Sequence, residues 1–248
     1  MKLLQTPDKG LGSYIVIEND LIGQFMLRHG NWEGHLHQIY SQLITNDDIV
    51  VDAGANIGFH TVQFAKLAKT VHAFEPQKVI YNILCTNILF NDVSQNTFQY
   101  DFGLGDKEIT LYMEPLSNRD ESNGMHNFGG RGLDPNATSE QPVPLKTFDS
   151  LGIDLSILKI DIQGSELFAF RGMMESIKKN KPWIMLENAI DGENDQKVLE
   201  MLFAEGYELC RFMHNTNQDC ILYIPSKHTN IRPLLESFKY NIRFENEH

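Results

Sequence analysis

The chain has no hydrophobic run that approaches a membrane span. Ile49-Val50-Val51 and Ile184-Met185-Leu186 are typical of its apolar stretches, far short of the roughly 20 apolar residues a spanning helix requires. Met1-Lys2-Leu3-Leu4 soon meets Pro7-Asp8-Lys9 rather than the apolar core of a secretory signal, so the expected setting is the cytoplasm, with no membrane partner. Cysteine is scarce: Cys85, Cys210 and Cys220 are odd in number, lie in apolar segments and show no CxxC spacing. That excludes a disulfide framework and a zinc knuckle and leaves core thiols as the expectation. Positive charge is also short, 21 Lys and Arg against 33 Asp and Glu for a net −12. Nucleic-acid binding draws much of its affinity from cationic side chains that displace counterions, so a tRNA or DNA partner is disfavoured and a small-molecule acceptor expected. No internal repeat is present.

What the chain does have is enough apolar material for one full core: 42% hydrophobic and 10% aromatic over 248 residues, the size of a single α/β domain with short additions. From residue 48 onward, short apolar runs alternate with segments of helical period, the pattern of βαβ units and a mostly parallel sheet. Strands are expected at 48–53, 70–74, 97–104, 109–113, 156–162 and 183–187, and helices follow the first two and span 165–177. A further helix at about 195–205 leads to strands at 207–213 and 220–224, which a short connector makes antiparallel. Ahead of the first βα unit, residues 14–27 read as a hairpin and 35–43 as a short helix. The stretch 114–141 is rich in Asn, Ser, Gly and Pro, too long for an ordinary connection and too polar for a core, so it reads as a loop insertion.

The chemistry concentrates at the strand ends. Val50-Val51-Asp52-Ala53-Gly54-Ala55-Asn56-Ile57-Gly58 is a buried strand running into a glycine-containing turn that opens a helix. Such a turn lies at the carboxyl end of the first strand, where open α/β sheets bind their ligands. Glu75, in Ala73-Phe74-Glu75-Pro76, ends the next strand at the ~20-residue offset where a βαβ fold sets a carboxylate against ribose hydroxyls. A dinucleotide site would carry a second Gly where Asn56 stands, to clear a pyrophosphate. Asp52 would also repel that group, whereas it suits a ligand with an ammonium and a sulfonium.

These motifs, with Leu145-Lys146-Thr147-Phe148-Asp149-Ser150-Leu151, Leu158-Lys159-Ile160-Asp161-Ile162-Gln163-Gly164-Ser165-Glu166 and Met185-Leu186-Glu187, resemble the FkbM family of methyltransferases over about residues 48–190. The resemblance implies a Rossmann-like class I methyltransferase fold, S-adenosylmethionine as donor, and O-methylation of a sugar, polyketide or other small metabolite. On it, residues 1–46 form an N-terminal hairpin/helix cap, 47–226 the methyltransferase domain containing the 114–141 insertion, and 227–248 a tail. Carried over by position, Asp52, Gly54, Ala55, Asn56 and Gly58 wrap the methionine end of the cofactor, and Glu75 with Pro76 takes its ribose. The family usually has Glu where this chain has Gln163, which puts a carboxylate role there in doubt while leaving an amide able to hydrogen-bond an acceptor.

Methyl transfer is an in-line displacement, so the protein mainly aligns donor and acceptor and excludes water. An alcohol acceptor must also lose a proton. Asp161, closing its strand toward the cleft, is the leading candidate base; it is equally placed to hold the cofactor's ammonium, or a metal with Glu187 and Asn188, although no metal site is assigned. His126, in the insertion, is a second candidate base. Gln163 and Glu187 are expected to contact the acceptor, and Asp101 and Phe102 to meet the adenine by hydrogen bond and stacking. Lys159, a charge inside an apolar strand, is expected to pair with a carboxylate. Two competing readings are a nicotinamide-dependent oxidoreductase on a related sheet and, on the strength of Gln163, a cofactor-binding subunit without catalysis. The acceptor's identity is not written in the sequence.

Overall fold

The computed structural model describes residues 1–114, 125–134, 136, 141–187, 192–212, 219–238 and 242–245. The N-terminal segment contains β1 (Leu3–Gln5), β2 (Ile15–Ile17), α1 (Leu21–His29) and α2 (Gly34–Leu43). Then come β3 (Ile49–Ala53), α3 (Phe59–Ala65), β4 (Thr70–Phe74), α4 (Lys78–Phe90) and β5 (Thr97–Tyr100). A side excursion contributes β6 (Gly103–Leu104), β7 (Ile109–Met113), β8 (Leu133–Asp134) and β9 (Pro142–Lys146). The chain returns with β10 (Ile157–Ile160), α5 (Glu166–Arg171), α6 (Met174–Asn180) and β11 (Trp183–Glu187), and ends with α7 (Glu193–Ala204), β12 (Glu208–Phe212), β13 (Asp219–Tyr223), α8 (Ile231–Ser237) and β14 (Ile242–Glu245).

The central sheet has the order β14-β12-β13-β11-β10-β3-β4-β5. Strands β5, β4, β3, β10 and β11 run parallel, and β13 inserts antiparallel to both β11 and β12. Because a strand alternates its faces, neighbouring residues feed opposite layers. Val50, Ile157 and Met185 pack with Tyr40, Phe64 and Leu84 on one face, while Val51, Leu158 and Ile184 pack with Phe170, Ile177 and Leu202 on the other. Covered on both faces, β3, β10 and β11 are buried almost throughout and read as largely apolar runs, whereas the outer β5 is fully buried only at Thr97.

Four expectations change. Residues 14–27 are not a hairpin: β2 pairs backward with β1, and 21–29 is a helix. Asp20 starts that helix by accepting from the Gly23 amide at 3.0 Å, and Ile22 and Met26, four apart, supply its buried stripe. The 97–104 strand splits, because Gly103 and Leu104 leave the central sheet to pair with β9. The 165–177 helix breaks at Gly172, where an added Cβ would lie 1.9 Å from the Gly105 carbonyl oxygen, so that contact displaces any larger residue. Finally, the central sheet does not stop at 224: β14 pairs with β12 as its outer strand. Among the described residues, no helix is long and apolar enough to cross a membrane.

Candidate functional site

The carboxyl ends of β3, β4, β10 and β11 share one rim of the sheet. Gly54 sits where β3 and β10 come closest. Its φ is 81°, and a Cβ there would fall 1.8 Å from the Asp161 carbonyl oxygen, so both conformation and space demand glycine. Asn56, next but one, also takes a left-handed φ of 51°. Its side-chain Oδ1 accepts from the Ile57 amide at 2.7 Å, the local bond that lets Asn tolerate such a conformation.

Glu75 is buried at the tip of β4. Its Oε2 accepts from the Asn56 amide at 3.0 Å and its Oε1 from the Gln77 amide at 2.8 Å. Burial pushes this carboxyl up to about 7, against the pull of those two amides and with added repulsion from Asp52 and Asp161. Asp52 lies deeper, fully buried; Thr61 donates to its Oδ2 at 2.6 Å, and Lys159 Nζ stands 3.6 Å from its Oδ1. Lys159 is therefore the buried partner of a carboxylate, as a charge in an apolar strand must be, and its Nζ is also 3.9 Å from Asp161 Oδ2. Burial alone would lower the Lys159 ammonium, yet the surrounding Asp52, Asp161, Glu33 and Glu187 raise it.

Asp161 and Glu187 meet through Gln163, whose Nε2 donates to Asp161 Oδ1 at 2.7 Å and to Glu187 Oε2 at 3.2 Å. Burial, then the charge of Asp161, push the Glu187 carboxyl up to about 9.

Two cavities open on this rim. One is walled by Phe74, Glu75, Pro76 and Gln77 together with Gly103, Leu104, Met113 and Leu133. The other is walled by Trp32, Glu33, Phe59, His60, Lys159 and Glu187. Gly54, Asn56, Gly129, Asp161 and Gln163 line both. The arrangement can hold a nucleoside on the first side and a second reactant on the other, with Asp161 at the junction.

The sequence candidates divide accordingly. Gly54, Asn56, Glu75, Pro76, Asp161 and Gln163 wall the first cavity, and Ala55 and Glu187 the second. Asp52 acts from behind, through Thr61 and Lys159, and Gly58 caps α3 with an added Cβ only 2.6 Å from Leu84 Cδ1. Asp101 and Phe102 line neither cavity: Asp101 pairs at the surface with Lys78 at 3.2 Å, and Phe102 packs edge-on against Phe74 and Tyr100. His126 also stands outside both walls, its backbone bridging to Asp20. Asn188 lies outside the described residues. Among the described residues, no cluster of three or more His, Cys, Asp or Glu is arranged to hold a metal ion.

Sequence reasoning missed the pairing of Glu33 with His60. His60 Nε2 lies 2.9 Å from Glu33 Oε2, and its Nδ1 3.3 Å from Tyr40 Oη. Although burial opposes it, His60 holds the Glu33 carboxyl below its usual range. Glu33 precedes α2 at a φ of 47°, and its side chain makes no cap bond to that helix. A non-glycine residue in that conformation whose side chain serves a cavity instead of its helix was the available signal, and it is visible only in three dimensions.

The strand order with its antiparallel insertion, and ligand-sized cavities at the carboxyl rim, define the class I methyltransferase fold. Solved structures share it: methyltransferase FkbM from Methylobacillus flagellatus KT has a TM-score of 0.52 at 20% identity, covering 73% of this chain and 44% of that one. The M. jannaschii tRNA m1G37 methyltransferase has 0.51 at 12% identity, covering 89% and 55%. The methyltransferase FkbM domain matches residues 52–242, and the chain belongs to that family. Among curated relatives, methyltransferase sdnD of Sordaria araneosa is 23% identical over 184 residues, 59% of this chain and 66% of its own length. Methyltransferase 1 of Beauveria bassiana (strain ARSEF 2860) is 26% identical over 170 residues, 58% and 64%. The chain thus spans just under two thirds of the length of these relatives.

Proposed function

We propose that this chain transfers a methyl group from S-adenosylmethionine to a hydroxyl of a small metabolite, such as a sugar or polyketide, in the cytoplasm. The observation that carries this reading is the pair of cavities meeting at Gly54, Asn56 and Asp161. The cofactor fits the residues present. Each Glu75 oxygen accepts one backbone amide and keeps a further lone pair, so its carboxylate can also take a ribose hydroxyl. At the junction the Lys159 ammonium is matched by buried Asp52, leaving the Asp161 carboxyl to face the ligand, a setting that suits a cationic amino-acid sulfonium better than a pyrophosphate.

When bound, S-adenosylmethionine supplies an activated methyl carbon. The chain's own residues align the acceptor and take its proton. Asp161 accepts that proton at its carboxylate, steadied by the Gln163 amide, while Gln163 and Glu187 contact the acceptor. Glu33 and His60 close the far wall of the acceptor cavity, and residues 129–132 help keep water out.

A thermal-shift titration with S-adenosylhomocysteine and with NAD tests the reading. A midpoint that rises with the first and not the second is expected; no rise with S-adenosylhomocysteine, or an equal rise with NAD, overturns it. A panel of hydroxylated sugars and polyketides with labelled methyl donor then addresses the acceptor.

A further inference from the structure

The turn that carries Glu75 continues into Gln77, 6% exposed, which walls the nucleoside cavity. Its amide is only half matched. Nε2 donates to the Phe128 carbonyl at 2.8 Å, while the buried Oε1 has no hydrogen-bond partner. Such an orphan acceptor is costly to bury and is normally completed by something. Two other described side chains carry a buried orphan oxygen, Asp52 and Asn96. Asp52 has the Lys159 ammonium beside it, and neither residue lines the two cavities. Gln77 therefore combines an unused acceptor with a place in a ligand wall.

The same turn is fastened to both sides of the insertion. Besides the Gln77 to Phe128 bond, Gln141 donates to the Pro76 carbonyl at 2.7 Å and accepts from the Lys78 amide at 2.9 Å. Phe128 in turn donates its amide to Asp20 Oδ1 at 3.1 Å, tying the segment to the start of α1. Directly after Phe128 come Gly129, which lines both cavities, and Gly130, which lines the acceptor side.

We propose that Gln77 Oε1 accepts a hydrogen bond from a ribose hydroxyl of the donor nucleoside, and that the same amide, through Phe128, steadies residues 128–133, whose Gly129 lines both cavities, more firmly once the nucleoside is bound. Gln77 is thus both a cofactor contact and a positioning residue for the wall the two cavities share. The proposal rests on the nucleoside reading of the first cavity. A ribose hydroxyl is the donor because Glu75, two residues earlier on the turn, faces the same cavity with a carboxylate suited to the diol.

The test uses the full chain, S-adenosylhomocysteine and its 2′-deoxy and 3′-deoxy analogues in calorimetry, with hydrogen exchange followed at residues 128–133. Gln77→Met is expected to weaken S-adenosylhomocysteine roughly three- to tenfold, the scale of one neutral hydrogen bond. One deoxy analogue should lose a similar factor on the wild type and nothing further on Gln77→Met. S-adenosylhomocysteine should slow exchange at 128–133 in the wild type but not in the variant. Unchanged affinity in the variant, additive losses in the cycle, or protection that survives the substitution each overturn the proposal while leaving the nucleoside reading intact. Absence of any S-adenosylhomocysteine binding to the wild type defeats both. Should Gln77→Met fail to fold, the wild-type comparisons decide: equal affinity for all three ligands, or no change in exchange, rejects the role.

Discussion

Gln163 controls how two carboxylates share one corner. Its single amide donates to Asp161 and Glu187 together, and Glu187 is held up to about 9 by burial and by its neighbour's charge. Glu187 is therefore protonated at neutral pH, and Asp161, at the junction of the two cavities, is the carboxyl placed to take the acceptor's proton in the proposed reaction. Asp161→Asn is expected to cut turnover on the best acceptor by roughly 10²- to 10⁴-fold, with a much smaller change in S-adenosylhomocysteine affinity; equal losses in kcat and Kd would remove Asp161 as base. Glu75 yields a second residue-scale prediction. Donors from a ribose lower its carboxyl from about 7, so binding releases a proton and tightens as pH rises toward 7, then levels off. Calorimetry between about pH 5.5 and 8 should show that slope in the wild type and lose it in Glu75→Gln.

At the scale of elements, the tip-to-tip contact of β3 and β10 is the most constrained feature of the site. Gly54→Ala forces a Cβ against the Asp161 carbonyl in a backbone conformation that disfavours side chains. A loss on the order of 3 kcal/mol is expected, measurable by urea unfolding; a loss below about 1 kcal/mol would show that the strand ends can part. The inner parallel strands were legible because burial on both faces leaves mostly apolar runs, broken only by residues such as Asp52 and Lys159, that end near glycine or an acid. Helix α1 was not, because over so short a window a helical stripe such as Ile22 and Met26 is also compatible with alternation, and the Asp20 cap was the tie-breaker overlooked. Gly172 looked tolerable inside a helix until the Gly105 carbonyl was found against it. Glu33 and Gln77 stayed hidden for a different reason: each acts through a contact distant in sequence, with His60 and Phe128 respectively, and no local spacing records that.

For the whole molecule, the formal net charge of −12 includes two rim carboxyls, Glu75 and Glu187, that both titrate above their ordinary value near 4.5. A carboxyl whose folded value is raised binds more protons folded than unfolded, so stability falls as pH rises from 4.5 through about 7 for Glu75 and about 9 for Glu187. Burial lowers His37, His72 and His228, which are neutral in both states above about pH 7 and add no slope there. The unliganded chain should lose Tm between about pH 7 and 9, and Glu187→Gln should flatten that decline; a wild-type Tm constant over the range would contradict the burial described.

The two cavities draw their walls from different parts of the polypeptide. The first cavity is furnished by the sheet and the side excursion, whereas Leu21, Ile22, Trp32 and Glu33 of the second come from the segment ahead of β3. On the proposed assignment of the two cavities, retargeting the enzyme, by selection or at the bench, calls for rewriting that leading stretch while the rest of the scaffold is inherited unaltered.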